Sequence, residues 1–454
     1  MIFFAIIGLI IIVLLTFKYP MIPLFFFLTT SLLKTSLMAR FEIFTRYDMT
    51  VLAAVFLLFG MMVALAKRPG YFIRIFNAPY LLMALLILLL FLGLTYTSAP
   101  IYGWQKSSRF AVFASLMFFS PILFIAVKSD FNKILWILLI IGVLVSVVTI
   151  IMPHSAVVQE RAEQRAGFLE AGPLETAEKI AIAGLVAFCF IVFQDSKKSL
   201  KIIGGIITPI CLLGMVLTGA RGSLFAMVLC CAAAPFILGR QVSKKWIIPG
   251  VLVVVLGMGY ALTAAGGVAE MSVERISRMW SQEGGIKTAA ESRLPLYSWT
   301  LSNIPDSPIF GHGTGSYAVD KEGVDQRTYP HNTILELLYE NGVIGASIFV
   351  AFVYLTYRKW KQSRRCILDY LGDTQIYAFS SISVLLFIFA FLQAMKSNDI
   401  EGNRFMFFCA GLMMSVYYLV RDSLRQMEAG TYRIEPEFQC SVDYYENESP
   451  HVAD

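Results

Sequence analysis

The stretch YPHNTILELLYENGVIG, residues 329–345, puts a histidine, an asparagine and two glutamates at the mouth of an apolar helical run. Pro330 and Asn332 are residues that start helices and Asn341-Gly342 is a local break, so the pattern predicts a short helix from Asn332 to Glu340. His331 then stands at its N-terminal end, where the positive end of the helix dipole disfavours an imidazolium. A neutral imidazole is what a general base must be before it accepts a proton. Glu336 and Glu340 share one face at a spacing of four, and Leu335 and Leu338 pack the helix down. On position alone the histidine is as readily a satisfied interface residue as a base.

A second candidate is LTGARGSLFAM, residues 217–227. From Ile202 to Leu238 the sole charged residue is Arg221. A charge in such apolar surroundings is costly to keep and marks a functional position by default. Gly219 and Gly222 flank it and leave room for a ligand to approach the backbone. The alternative is an arginine snorkelling to an interface, which needs no flanking glycines. The third candidate is SRLPLYSWTLSNIPDSPIFGHGTGSY, residues 292–317. Leu294 to Asn303 reads as an amphipathic helix with Arg293 at its start and Pro305-Asp306 at its end. Gly311, Gly313 and Gly315 make a tight turn. As a nucleotide loop that glycine run is a weak signal, because no strand pattern precedes it.

The elements that hold these residues follow from composition. The 454 residues are 57% apolar and 15% charged, with a mean hydropathy of +0.69; a soluble domain carries about 25% charged residues. Apolar stretches of roughly 17–25 residues recur, each long enough to span a bilayer. The fold class is therefore an all-α polytopic membrane protein, and a soluble enzyme is excluded. About 12–13 spans are expected, from 2–17 and 21–37 through 110–127, 246–265 and 342–357 to 404–420; the count turns on the Pro20 break between the first two. The first apolar run reads as a retained helix with no clear cleavage site.

Four regions follow: N-terminal transmembrane helices over 1–265, a large loop with short helices and the catalytic segment over 266–332, C-terminal transmembrane helices over 333–420, and a disordered cytoplasmic tail over 421–454. Within the loop, 268–282 reads as an amphipathic stretch on the membrane surface. Five of the seven cysteines lie in apolar spans without ligand spacing, so neither a disulfide framework nor a metal site is expected.

Lysine and arginine in short loops set orientation. KRPGYFIR (67–74), KSDFNK (128–133), DSKKSLK (195–201), GRQVSKK (239–245) and RKWKQSRR (358–365) are dense in positive charge and are placed in the cytoplasm. The 266–332 loop mixes eight acidic and six basic residues and faces outward, on the same side as Arg221 and His331. The net charge of +6 fits membrane orientation better than nucleic-acid binding. A base beside arginines at the outer membrane surface suits a lipid-linked pyrophosphate substrate, because guanidinium forks match phosphate oxygens. Such a site could stabilise a leaving pyrophosphate without a metal ion or other cofactor, in keeping with the lack of an outward DxD or His/Asp cluster.

At this point the motifs are similar to those of a known family. His331-Asn332, nine residues, then GVIG (342–345) resembles the histidine motif of the O-antigen ligase and polymerase superfamily. TGARGS (218–223) resembles its outer arginine turn, and Arg293 with Trp299 and SPIFGHGTGSY (307–317) resembles its periplasmic loop ahead of the histidine. The resemblance covers roughly residues 180–420. It implies a GT-C-like, metal-independent, inverting glycosyltransferase in the bacterial inner membrane, with its active face periplasmic. The donor would be a glycan on undecaprenyl pyrophosphate, and the acceptor the lipid A core for a ligase or another lipid-linked repeat for a polymerase. By that analogy His331 activates the acceptor hydroxyl while Arg221 and Arg293 hold the pyrophosphate. Lys106 and Arg109, in the outward loop GWQKSSRF, add phosphate contacts, and Asn332 and Glu336 are assigned to substrate binding. The family's ligases usually have 12 spans with both ends inside, which an odd count here would not match.

Overall fold

The computed structural model describes residues 11–40, 48–152, 157–158, 163–164, 172–193, 196–239 and 293–429. Apart from a two-residue antiparallel pairing of Val157–Val158 with Glu163–Gln164, the regular structure described is helical. Its helices are α1 (Ile22–Arg40), α2 (Met49–Lys67), α3 (Ala78–Leu92), α4 (Pro100–Arg109), α5 (Ser115–Phe124), α6 (Lys128–Ile151), α7 (Pro173–Val192), α8 (Lys198–Thr218), α9 (Arg221–Leu238), α10 (Leu294–Asn303), α11 (Tyr317–Glu322), α12 (Thr333–Cys366), α13 (Thr374–Ala394) and α14 (Arg404–Glu428). Among the described residues eight helices are long and apolar enough to cross a membrane, with Ile22–Lys34 and Gly222–Leu238 as shorter apolar helices. The chain is an all-α, multi-pass membrane protein. The expected span at 246–265, the amphipathic stretch at 268–282, most of the basic loop at 239–245 and the tail from 430 lie outside the described residues.

Burial sorts the helices into layers. Every residue of α7 from Ile180 to Val192 is buried, the signature of a helix that is apolar on all sides and central. α6 and α8 pack on it, α9 packs on α7 and α13, and α14 packs on α5, α12 and α13. Small residues let these backbones meet. A side-chain carbon on Gly142 of α6 would overlap Ala183 and the Lys179 carbonyl, and one on Gly411 of α14 would overlap the Phe118 carbonyl. By contrast α2 and α3 turn Val51, Val55, Leu58, Met62, Leu81, Leu85 and Leu88 outward. An exposed apolar stripe of this kind is the surface a helix offers to lipid.

Several expected loops are helical, KSDFNK at the start of α6 among them. GWQKSSRF lies on α4 and the start of the π turn Phe110–Ala114 that joins it to α5, so Lys106 and Arg109 project from a rigid helix. RKWKQSRR is the last part of α12. Composition marks a loop where apolarity stops, but a helix continues past the apolar zone until a cap ends it.

The two ends of the bundle differ. At one end Arg74 is buried, pairs with Asp422, donates to the Ile125 carbonyl at 3.3 Å and stacks 3.4 Å from the Tyr71 ring centre. Lys128 pairs with Asp373 at 2.7 Å nearby in the fold's loop layer. The opposite end gathers the starts of α9, α12 and α14 with the end of α13, and there the candidate residues converge.

Candidate functional site

The site is built on a broken helix. Within α12, Gly342 has φ 64° and ψ −166°, a conformation open essentially only to glycine. The break exposes carbonyls that a continuous helix would use. His312 N–H donates to Tyr339 O at 2.9 Å, Gly313 N–H to Glu340 O at 2.9 Å, and Val343 N–H to Pro308 O at 2.9 Å. The GHGTG turn is thus a structural plug for the helix break, as its reading as a turn expects. Gly311, Gly313 and Gly315 all have positive φ. Trp299 of α10 packs against Tyr317 and Tyr339, each with ring centres 5.4 Å away, and fixes α10, with Arg293 as its N-cap residue, over α12. Asp325 accepts from the backbone of Ile101 at 2.9 Å and Tyr102 at 2.8 Å, capping α4 and tying the loop down at a second point.

His331 is the one non-glycine residue with positive φ (59°) among the described residues. Left-handed backbone is uncommon for a residue with a side chain, and such positions cluster at functional sites. What holds it is the end of α13, whose last carbonyls have no helical partner. His331 Nδ1 lies 3.1 Å from Ser397 O. Asn332 Nδ2 donates to Met395 O at 3.3 Å, Thr333 Oγ1 to Ala394 O at 3.0 Å, and Tyr329 O–H to Ser397 O at 3.3 Å. A carbonyl only accepts, so Nδ1 carries the ring proton and Nε2 keeps its lone pair. Burial, and then the positive charge of Arg293, lower the His331 pKa, against opposing pulls from the Ser397 carbonyl and Asp399. Burial thus favours the neutral form of the imidazole.

Beneath the histidine lies a buried charge cluster. Lys106 pairs with Glu336 and, at 2.6 Å, with Glu340, all three side chains being at most 1% exposed. Glu336 also accepts from Ile400 N–H at 3.0 Å. Asp399 takes both arms of Arg327, at 3.0 and 2.7 Å, with Tyr102 O–H at 2.7 Å and Gly402 N–H at 2.9 Å. Burial alone would push the Asp399 carboxyl up, but Arg327, Lys106 and the Tyr102 bond outweigh it and hold it at about 2. The cluster locks segment 395–403 to α4 and α12.

These contacts correct three assignments. Lys106 is enclosed with two carboxylates and has no free face for a phosphate. Glu336 is its counter-charge and does not face substrate. Asn332 is a helix cap, accepting from Ile334 N–H at 3.0 Å and Leu335 N–H at 3.1 Å. The side-chain roles of buried residues are set by neighbours distant in sequence, here 234 positions apart for Lys106 and Glu340.

Arg221 is the first residue of α9, after the Gly219 turn (φ 62°) that ends α8. Gly222 does not leave open room for a ligand: a side-chain carbon there would lie 2.5 Å from Lys396 Nζ. Lys396 follows α13, on the segment that seats His331, and its ammonium donates to Ser223 Oγ at 3.3 Å. Burial, then Arg293, bring its pKa down to about 7, with Glu178 opposing. Lys396 thus lies against the start of α9, and the charge of Arg293 acts on both Lys396 and His331. Sequence reading missed Lys396, Arg327 and Asp399. The pattern KSNDIEGNR (396–404), charges between two apolar spans, was the available signal.

A polar cavity of about 280 Å³ opens at this end of the bundle, with Arg109, Lys179, Arg327, Arg404, Glu178 and Asn398 on its wall; Arg293, His331 and Lys396 do not line it. An apolar groove of about 540 Å³ runs between α2 and α5 and also reaches Arg109 and Phe113. Arg109 itself pairs with Asp48 at 3.4 Å and is 37% exposed, so it stands where groove and cavity meet.

Residues 206–350 match the family model described as O-antigen ligase. Over this stretch the chain is similar to the O-antigen ligase family. The matched residues include Arg221, Arg293 and His331, and exclude Lys106, Arg109 and Lys396. No curated protein matches the chain.

Proposed function

We propose that the protein is a GT-C-type, inverting, metal-independent glycosyltransferase of ligase type. It moves a glycan from undecaprenyl pyrophosphate to a hydroxyl of the lipid A core at the periplasmic face of the inner membrane. The observation that carries this reading is the seat of His331: a strained backbone and a carbonyl on Nδ1 leave Nε2 as a free, neutral base beside gathered cations. Nε2 takes the proton of the acceptor hydroxyl as its oxygen bonds to the anomeric carbon. The bond from that carbon to the phosphate oxygen breaks, and the electron pair leaves with the pyrophosphate. Attack opposite the leaving group inverts the centre. Arg221 and Arg293 neutralise the leaving charge, a task that fixed cations perform well in a low-dielectric site.

The groove and cavity fit an amphiphilic donor. A polyprenyl chain laid between α2 and α5 puts its head beside Arg109, in a cavity whose Asn398 wall adjoins the segment holding His331. Arg109 thereby keeps its substrate role. With the basic loops cytoplasmic, this end faces outward, as a glycan assembled on the carrier and flipped across requires.

The test is deletion of the gene followed by analysis of surface glycan and of the lipid-linked pool. Long chains retained on the carrier with uncapped core support the ligase. Accumulated single repeats would identify a polymerase instead. Donor left on the cytoplasmic face would point to a transporter and remove the enzyme reading.

A further inference from the structure

Lys396 has no part in the roles assigned above, and its surroundings are unusual for a lysine. Its ammonium is half-buried and no carboxylate of the described residues lies within ion-pair distance of it. Its hydrogen-bond partner is the neutral Ser223 hydroxyl, 3.3 Å away, which in turn lies 3.3 Å from Gln393. The charged groups acting on it are Arg293, a like charge, and Glu178 of α7. Arg293 makes no ion pair with a described carboxylate either. Elsewhere at this end of the bundle cations are matched: Lys106 with Glu336 and Glu340, Arg327 with Asp399, Arg404 with Glu401, Lys179 with Glu178. Two cations in each other's field and without an ion-pair partner repel each other, and an anion between them removes the repulsion. The room Lys396 occupies is also made for it, since any side chain at Gly222 would meet its last three side-chain atoms.

We infer that Lys396 contacts the donor: with Arg293 it binds oxygens of the leaving diphosphate, and it is a catalytic residue of the transfer. This rests on the glycosyltransferase reading above and extends it by one residue outside the family-matched stretch. Lys396 shares its segment with Ser397, which seats His331, so phosphate contact and base are separated by one residue of a clamped loop. Held at about 7 by burial and then by Arg293, the amine is only partly charged before the donor arrives. A bound diphosphate favours the charged form, so binding takes up a proton.

The probe is a short-chain prenyl diphosphate titrated into the full-length protein in detergent. Lys396→Met should bind it about 10- to 100-fold more weakly, the effect of losing a charge-assisted hydrogen bond, while thermal unfolding stays near wild type. In the wild type, affinity should fall as pH rises from 7 to 9. Lys396→Arg, charged at every working pH, should bind with no such fall. Unchanged affinity in Lys396→Met, or the same pH slope in Lys396→Arg, overturns the inference. Should Lys396→Met fail to fold, the Lys396→Arg slope still decides. If Lys396→Met binds normally while His331→Ala abolishes transfer, the function stands and this residue's role alone falls. If His331→Ala transfers normally, the function fails independently of the binding result.

Discussion

Lys106 and Lys396 lie at the same end of the helix bundle, both partly or wholly removed from water, and the protein treats them differently. Lys106 is enclosed and meets two carboxylates one helical turn apart. Lys396 meets a hydroxyl and lies in the field of Arg293, with Glu178 opposing from farther off. The first arrangement completes itself and needs nothing from outside. The second is incomplete until an anion arrives. What distinguishes a structural lysine from a substrate-binding one here is therefore the identity of its partners, and burial alone does not decide it.

The comparison is broken or sharpened most strongly at Lys106. Lys106→Met leaves two buried carboxylates uncompensated, and losing one side of a buried ion pair costs about 3–5 kcal/mol. Thermal unfolding in detergent should show this, and adding Glu336→Gln with Glu340→Gln should recover much of it. A similar stability loss in Lys396→Met would erase the distinction. Next comes Gly342→Ala. The glycine-only backbone and the Ile309 carbonyl against it predict a loss of about 1–3 kcal/mol. Donor transfer should drop with it, because the GHGTG plug leaves the helix break.

The pH dependence of transfer separates the base from the cation. His331 has a lowered pKa, so the neutral base is present above the ordinary imidazole value and is lost as pH falls through its own lower value. Below that point the rate should fall about tenfold per pH unit. Lys396, near 7, loses charge on the alkaline side, so the opposite limb belongs to it. A profile flat from pH 5 to 9 would count against both assignments. The smallest effect is at the His331 backbone. His331→Gly should be more stable than His331→Ala by about 1 kcal/mol, because glycine enters the left-handed region without strain, and both should lack transfer. Equal stability would mean that the backbone there is not strained.

The fold class was readable because lipid demands long apolar helices, and composition alone reveals them. The arginine turn, Arg293 and His331 are candidates because each stands out against apolar or glycine-rich neighbours. Lys106, Glu336 and Asn332 were named from type and position, and those clues carry no record of partners. The Glu336–Glu340 spacing could have prompted a search for a buried cation, but nothing in the sequence names Lys106 as that cation. Lys396 went unnoticed because a lysine after a span reads as an ordinary loop charge. The helices past 358 and before 110 were missed because polar residues on a helix look like loop when apolarity is the guide.

The central claim is that His331 is the base and the cations hold the donor. The most direct test is transfer and donor binding measured together, with purified His331→Ala in detergent and a chelator present throughout. Transfer should fall about 10²- to 10⁴-fold, while prenyl diphosphate affinity stays within about twofold of wild type, a difference of about 0.4 kcal/mol. Wild-type turnover in His331→Ala would contradict the account, and loss of wild-type turnover to the chelator would contradict its metal-free scheme.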